Sequence, residues 1–311
     1  MSAVITPFEG TELFNTASFN NRISQINTGF SYVSNPNLLD NWYFGNPVNQ
    51  RGLTEYTGTT YTVDRWILTN ANIHVKASEL SISSVAYDNN FSQKIESKLW
   101  EYMVGKTITI SFLVKNITGR WIVASGNNKI YGAMTEIGLH KFTDKLVESV
   151  TDAFHIFSLG GDAEGQIDII AAKLELGSTQ TLAHQENGQW VLNEVPEYGN
   201  QLRRCQRYFW RFSPPQYIAG AIAFGIDANT ARAIIYLPEQ MHTSPTLNLN
   251  ASSGFFLTGA SGDIFDVTVS SVWTNQNSVC VDFKKSGAFE VNAPYFVRGG
   301  VSSNIDISAD L

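Results

Sequence analysis

The 311-residue chain is poor in charge, in cysteine and in long apolar segments. Charged residues make up 16% of it, against roughly 25% in a typical globular protein. Its 21 lysines and arginines are outnumbered by 28 aspartates and glutamates and form no cluster, so we expect no nucleic-acid partner. No apolar run approaches the roughly 18 residues that span a bilayer, so we also expect no membrane insertion.

Cysteine is scarce: Cys205 and Cys280 are too few for a disulfide framework. The first ten residues have neither a basic start nor an apolar core, so they do not resemble a secretory signal peptide. We therefore expect two reduced, half-buried thiols, although a pairing of the two stays open.

Sequence signatures of catalysis are also absent. The chain has no GxSxG, HExxH, GxxxxGK(S/T) or GxGxxG motif, and its five histidines are scattered singly, without the spacing of zinc ligands. We expect no enzyme, no cofactor and no bound metal. Two alternatives stay open. The alternating Asp162, Glu164, Gln166 and Asp168 could bind calcium, although a turn leading into a strand explains them equally well. A glycosidase also stays open, because its paired catalytic carboxylates come together only in the folded chain and no sequence motif marks them.

Aromatic and β-branched residues are abundant and occur in short runs separated by Gly, Asn and Pro. The clearest run is 106–115, in which apolar and polar residues alternate along a predicted strand. Further strands are predicted over 61–68, 129–134 and 166–176. One short helix is predicted over 92–104, with Ile95, Leu99, Tyr102 and Met103 on its inward face. The sequence therefore predicts an all-β fold with four parts: an N-terminal helical segment over 1–34, a β-sandwich over 35–184, a linker over 185–204 and a second β-sandwich module over 205–311.

The N-terminal segment carries a possible self-association motif. Phe19, Ile23, Ile26 and Phe30 are spaced by four, three and four residues, as in the seam of a coiled coil. The pattern lasts only two heptads, so one amphipathic helix docked on its own chain is an alternative.

Aromatic side chains are the candidates for ligand contact. An exposed indole can stack on the apolar C–H face of a sugar ring while amides and carboxylates bind its hydroxyls, and pockets generally combine aromatic walls with a few polar groups. Trp121, Trp210 and Trp273 are the tryptophans that we expect to be exposed. The sequence around Trp42, Trp66 and Trp100 predicts core positions instead.

Several segments, taken in order, resemble phage and prophage tail-fibre proteins and related virion proteins. Residues 37–52 look like the opening of their carbohydrate-binding-module-like jelly roll, and Asp64-Arg65-Trp66 is similar to the motif that follows it. The resemblance continues through residues 173–178, 202–209, 237–246 and 306–311. It implies a jelly roll in the first β-sandwich, a structural pairing of Asp64 with Arg65, and a packed Trp66.

The same resemblance implies a function. It indicates a non-enzymatic fibre of the virion, assembled in the bacterial host cytoplasm, that binds host cell-surface glycans. Its segment 1–34 would form a homotrimer and attach to other virion structural proteins. A purely structural virion component, such as a head fibre, decoration or adaptor protein without glycan binding, is the main alternative, and a glycan-degrading enzyme is a third.

Overall fold

A computed structural model describes residues 34–86, 88–125, 129–147, 156–162, 164–215, 218–249, 254–300 and 303–310. The chain forms two compact units. Unit 1 contains the described residues up to Asn46, together with Thr54–Thr60 and Ile67–Pro196. Unit 2 contains Pro47–Leu53, Tyr61–Trp66 and the chain from Glu197 onward.

Unit 1 is built on a ten-stranded sheet. Its strands are β1 (Glu55–Tyr61), β2 (Trp66–Val75), β3 (Leu80–Ser84), β4 (Asn90–Lys94), β5 (Thr107–Thr118), β6 (Trp121–Ser125), β7 (Lys129–Met134), β8 (Gly138–Lys145), β9 (Ile156–Gly161) and β10 (Gln166–Leu176). They lie in the order β7-β6-β9-β4-β2-β3-β10-β5-β8, and β1 pairs with β2. A helix, α1 (Ser97–Met103), and a hairpin of β11 (Ala183–Glu186) and β12 (Gln189–Leu192) belong to the same unit.

Strand β5 pairs with β10 on one side and with the edge strand β8 on the other. The sequence predicts that it is apolar on one face and polar on the other, yet every residue from Ile108 to Val114 is buried. The polar side chains tolerate burial where they find partners: Thr109 donates to the carbonyl oxygen of Gly177 at 2.7 Å. The strand predicted over 106–115 is therefore confirmed as β5, and both of its faces are covered.

Unit 2 contains a three-stranded and a seven-stranded sheet. It begins with helix α2 (Tyr198–Gln206), and its strands are β13 (Phe209–Phe212), β14 (Ala221–Asp227), β15 (Thr230–Tyr236), β16 (Thr246–Asn248), β17 (Phe255–Gly259), β18 (Gly262–Ile264), β19 (Thr268–Asn275), β20 (Ser278–Lys284), β21 (Pro294–Gly299) and β22 (Ile305–Ser308). The sheets have the orders β13-β22-β16 and β18-β17-β21-β14-β15-β20-β19.

One hydrophobic core lies between these two sheets. Phe212 of the small sheet stacks on Phe255 of the large sheet with ring centroids 6.1 Å apart, and Phe255 meets the ring of Phe283 edge-on. Buried and exposed residues alternate along β14 and β15, so one face of the large sheet covers the core and the other faces solvent. Together the units confirm the predicted all-β fold class.

Two of the predicted elements were wrong. Residues 92–104 are not one helix: Ser92 lies in β4, and α1 is only seven residues long. Trp100 and Met103 are buried on this helix, whereas Tyr102, predicted to face inward, is 59% exposed. The predicted strand over 61–68 is interrupted by a turn, in which Arg65 has a φ of 74°.

Three further predictions meet the structure in different ways. Phe19, Ile23, Ile26 and Phe30 lie outside the described residues. Cys205 and Cys280 are both buried and are not joined by a disulfide. Among the helices described, none combines the length and the apolar content needed to cross a bilayer.

Candidate functional site

A cleft of about 460 Å³ opens on unit 2 beside the edge strand β18 and its neighbour β17. One wall is the turn between these two strands, and the other is the segment that leads from β20 into β21. We call it the hairpin cleft. It combines a concave shape with both aromatic and charged side chains.

Tyr295 holds the two walls of the hairpin cleft in place. Its ring packs against Gly259, where an added Cβ would come within 2.6 Å of Cε1, so only glycine allows this approach. Its hydroxyl oxygen accepts a hydrogen bond from the backbone N–H of Glu290 at 2.7 Å, and Phe289 meets its ring edge-on. The buried tyrosine therefore links the β17–β18 hairpin to the opposite segment.

Hydrogen bonds within the protein use only some of the polar groups of the cleft. Asp263 accepts a hydrogen bond from the Thr258 hydroxyl at 2.6 Å, which leaves its second carboxylate oxygen for other donors. Among the described residues, the exposed Glu290 carboxylate has no hydrogen bond or ion pair, and the buried Nε of Arg298 has no hydrogen-bond partner. Arg298 nevertheless lines the cleft, and its guanidinium carries further N–H donors besides Nε.

Phe296 adds an exposed aromatic ring to the same cleft. It lies on β21, paired with Thr258 of β17 on one side and with Ile222 of β14 on the other. Its side chain is 47% exposed because alternate residues of β21 point away from the core. The cleft thus offers a ring face together with a guanidinium and two carboxylates.

This combination matches the chemistry of a polyhydroxylated ligand. The negative face of an aromatic ring attracts the weakly positive C–H groups of a sugar ring. Carboxylates accept hydrogen bonds from hydroxyls, and a guanidinium donates to hydroxyl or carboxylate oxygens.

The tryptophans predicted to be exposed occupy three different environments. Trp121 was a wrong prediction: its side chain is 0% exposed, and its indole N–H donates to the carbonyl oxygen of Thr118 at 3.1 Å. Trp210 is half-buried and packs edge-on against Phe212 in the core of unit 2. Trp273 is exposed as predicted, and it lies outside the hairpin cleft.

The predicted core tryptophans and the acidic stretch also have clear positions. Trp42, Trp66 and Trp100 are buried, as predicted. Asp162 accepts a hydrogen bond from the backbone N–H of Arg120, and Asp168 forms an ion pair with Lys76 at 3.1 Å. No group of three or more His, Cys, Asp or Glu side chains placed to hold a metal ion occurs within the described ranges.

The motifs behind the family resemblance meet in a second place in unit 2, a buried charged cluster. Arg51 forms ion pairs with Asp64 at 3.2 Å and with Asp310 at 2.7 Å, and its guanidinium lies 3.8 Å from the Phe209 ring centroid. Asp64 is thus paired with Arg51. The guanidinium of Arg65 lies over the Tyr208 ring, 3.5 Å from its centroid.

Burial is the largest influence on the pKa values of Asp64 and Asp310 in this cluster. It raises the pKa of Asp64 to about 7, although Arg51 and Gln50 act in the opposite direction. It also raises the pKa of Asp310, again against the effect of Arg51. The cluster also contains a second ion pair, in which Arg211 donates to both carboxylate oxygens of Asp306. Because Arg51 joins Asp64 to Asp310 and Arg211 is paired with Asp306, we interpret the cluster as structural.

The sequence did not reveal the residues of the hairpin cleft. Asp263, Glu290, Phe296 and Arg298 come from separate strands and loops, and none of them belongs to a short motif. The Gly-rich stretch 259–262 indicates a hairpin turn, which is the one signal that could have drawn attention to this region.

Comparisons with known proteins give only distant likenesses. No protein-family model matches the chain, and no curated protein matches it. Among solved structures, it is similar to BiXyn10A CBM1 in its apo form, with 16% identity over 38% of this chain and 98% of that chain and a TM-score of 0.27.

Two further solved structures resemble the chain over a larger part of its length. The CBM22-1–CBM22-2 tandem domain of Xyn10C from Paenibacillus barcinonensis has 10% identity, covers 89% of this chain and 98% of its own, and has a TM-score of 0.30. Cucumber Necrosis Virus has 11% identity, covers 83% and 93%, and has a TM-score of 0.17. TM-scores of this size do not establish a common fold, so the all-β architecture rests on the strands themselves.

Proposed function

We propose that the chain is a non-enzymatic virion fibre protein, a tail fibre or similar, that binds host cell-surface glycans through the hairpin cleft. The observation that carries this proposal is the position of the exposed Phe296 ring beside Arg298 in the lining of one cleft. The ring supplies a stacking surface, and the guanidinium supplies a donor that a sugar oxygen would satisfy.

The polar groups of the cleft favour a saccharide over a purely apolar ligand. Asp263 and Glu290 can accept hydrogen bonds from adjacent hydroxyls, while Arg298 donates from a neighbouring strand. A ligand with hydroxyls around an apolar ring face would use all of these groups at once. The low overall charge of the chain is consistent with such a polar, largely uncharged ligand.

Two exposed carboxylates in one cleft raise the alternative of a glycoside hydrolase. The general acid of such an enzyme relies on a buried setting to keep its proton at neutral pH. Asp263 and Glu290 are both exposed. The arrangement therefore favours binding over cleavage.

The virion role rests on the order of motifs along the chain, and the proposed homotrimer rests on Phe19, Ile23, Ile26 and Phe30. In this proposal the segment 1–34 joins three copies and attaches them to other virion structural proteins. Three clefts on one fibre would act together, and avidity of this kind can strengthen weak sites by about 10²–10⁴.

An array of bacterial surface polysaccharides and their oligosaccharides tests the proposal with the full chain. We expect binding to at least one glycan, and we expect Arg298→Ala to weaken it by roughly 10–100-fold, as for loss of a charged hydrogen bond. Arg203→Ala, which removes an exposed arginine on α2 outside the cleft, should bind like wild type. Absence of binding to every glycan would favour the purely structural virion component, and release of reducing ends would favour the enzyme.

A further inference from the structure

A second exposed aromatic ring lies just outside the hairpin cleft. Phe265 directly follows β18, and its side chain is 53% exposed. It does not line the cleft, whose own exposed ring is that of Phe296. The proposed glycan site therefore has a further phenyl ring at its margin.

Strand register places Phe265 and Phe296 on one face of the sheet. Asp263 of β18 and Phe296 of β21 both pair with Thr258 of β17. Paired residues of an antiparallel sheet point to the same face, and so do residues two positions apart on one strand. Phe256, two residues before Thr258, therefore shares this face, and the Phe265 ring stacks on it with ring centroids 5.1 Å apart.

The Phe265 ring is held on one side and open on the other. It stacks on the buried Phe256, so one of its faces is covered. The side chain of Lys285 donates a hydrogen bond to the carbonyl oxygen of Phe265 at 2.7 Å, which fixes the backbone at this residue. A ring held in this way loses little conformational freedom on binding, so its open face is a preorganised stacking surface.

The two exposed rings are too far apart for one sugar. Phe265 lies two strands and two residues away from Phe296. With strands about 4.8 Å apart and about 3.4 Å per residue along a strand, the two Cα atoms are roughly 12 Å apart. A monosaccharide stacked on Phe296 is too small to reach Phe265 as well, whereas a chain of sugars can cover both rings.

Polar groups lie between the two rings. Asp263 uses one carboxylate oxygen for the Thr258 hydroxyl and keeps the other for a ligand, and Arg298 pairs with Phe256 on the strand that also carries Phe296. An apolar protein partner would bury these charged groups, which is costly and rare at the core of protein interfaces. The hydroxyls of a sugar chain would bind them while its ring faces stack on the phenyl rings.

We infer that Phe265 is a second stacking position of the glycan site, so that the site takes a run of several sugar units rather than a single terminal sugar. This inference rests on the proposed glycan binding through the hairpin cleft and adds a length requirement to it. A terminal sugar would use only the Phe296 end of the site, whereas the repeating chain of a surface polysaccharide would use both ends.

Binding as a function of oligosaccharide length tests this inference with the full chain. The probes are size-fractionated fragments, from the monosaccharide upward, of purified O-polysaccharide, capsular polysaccharide and peptidoglycan strands. The affinity of the wild-type chain should rise by about tenfold or more once a fragment is long enough to span both rings, as expected for one further stacked aromatic contact. An affinity that does not depend on fragment length would overturn the inference.

Matched variants assign the length dependence to the Phe265 ring. Phe265→Ala should weaken the binding of long fragments by about tenfold and leave the shortest binding fragment unaffected, whereas Phe296→Ala should weaken both. Phe224→Ala removes a phenyl ring that is also 53% exposed, on β14 at the other side of β21, and should bind long fragments like wild type. Equal losses from Phe265→Ala and Phe224→Ala would contradict the inference.

Conservative variants separate stacking on a sugar from support of Phe256. Phe265→Leu still covers Phe256 but has no flat ring, so it should lose affinity for long fragments as Phe265→Ala does. Phe265→Tyr keeps the ring and should bind them like wild type. Full binding of long fragments by Phe265→Leu would mean that Phe265 only supports the fold, which overturns the inference.

The results also distinguish this inference from the glycan proposal. Equal affinity for short and long fragments would overturn the length requirement alone and would leave the hairpin cleft as a site for a single sugar. Absence of binding to every fragment would overturn both.

Discussion

Asp64→Asn should remove a pH dependence from the stability of unit 2. Burial raises the pKa of the Asp64 carboxyl from 3.8 to about 7 in the folded protein. Between about pH 4 and pH 7 the folded chain therefore holds a proton that the unfolded chain has released. The stability of unit 2 should fall as the pH rises through this window and level off above it.

The size of this effect follows from the shift. About three pH units at about 1.4 kcal/mol each correspond to roughly 4 kcal/mol as an upper estimate. Asp310, whose pKa burial also raises, adds to the change in the same direction. The pKa values of Glu79, Asp144 and Asp168 are lowered, so these carboxylates change the stability only in the acid range. A comparison of the stability at about pH 5 with that at about pH 8 therefore reports on the buried cluster.

Native-state hydrogen exchange measures this prediction on unit 2 alone. The amides of β13 and β22 report its opening free energy once intrinsic exchange rates are corrected for pH. Wild type should open more easily at about pH 8 than at about pH 5, and Asp64→Asn should lose most of that difference. Asp266→Asn, at an exposed carboxylate of the same unit, should keep it. A wild-type free energy that is flat or rises with pH would refute the reasoning.

Two further predictions concern packing. Trp121→Ala removes a fully buried side chain of unit 1 and should destabilise that unit by about 3–5 kcal/mol in chemical unfolding. Glycan binding should be unchanged. Loss of binding in a folded variant would contradict the placement of the glycan site in unit 2. Gly259→Ala should push a methyl group against the Tyr295 ring, so it should destabilise unit 2 by about 1–3 kcal/mol and weaken glycan binding. An unchanged unfolding midpoint would show that the β17–β18 hairpin can move away from Tyr295.

Local sequence patterns predicted part of the fold well. The strands over 129–134 and 166–176 match β7 and β10, because β-branched and aromatic residues bounded by turn residues report strand formation directly. The same patterns failed at 61–68, where Arg65 takes a left-handed conformation. That turn forms within a buried cluster whose partners, Arg51 and Asp310, are distant in sequence.

Exposure and the candidate site were less predictable. Trp121 and Trp273 both occur in strand sequences, yet one is buried and the other exposed, because strand position in the sheet decides which face is covered. Phe296 and Arg298 become neighbours of Asp263 only through the pairing of β17 with β18 and β21. Such a constellation depends on long-range register, which no short motif encodes.

The dissociation constant of Phe296→Ala for a glycan bound by the wild-type chain is the most direct measure of the glycan-binding proposal. Loss of the ring should weaken binding by at least about tenfold, since a stacked aromatic contact and its buried area contribute roughly 1.4 kcal/mol or more. Tyr102→Ala, at an exposed ring of unit 1, should bind like wild type. An unchanged dissociation constant for Phe296→Ala would contradict the assignment of the hairpin cleft as the glycan site.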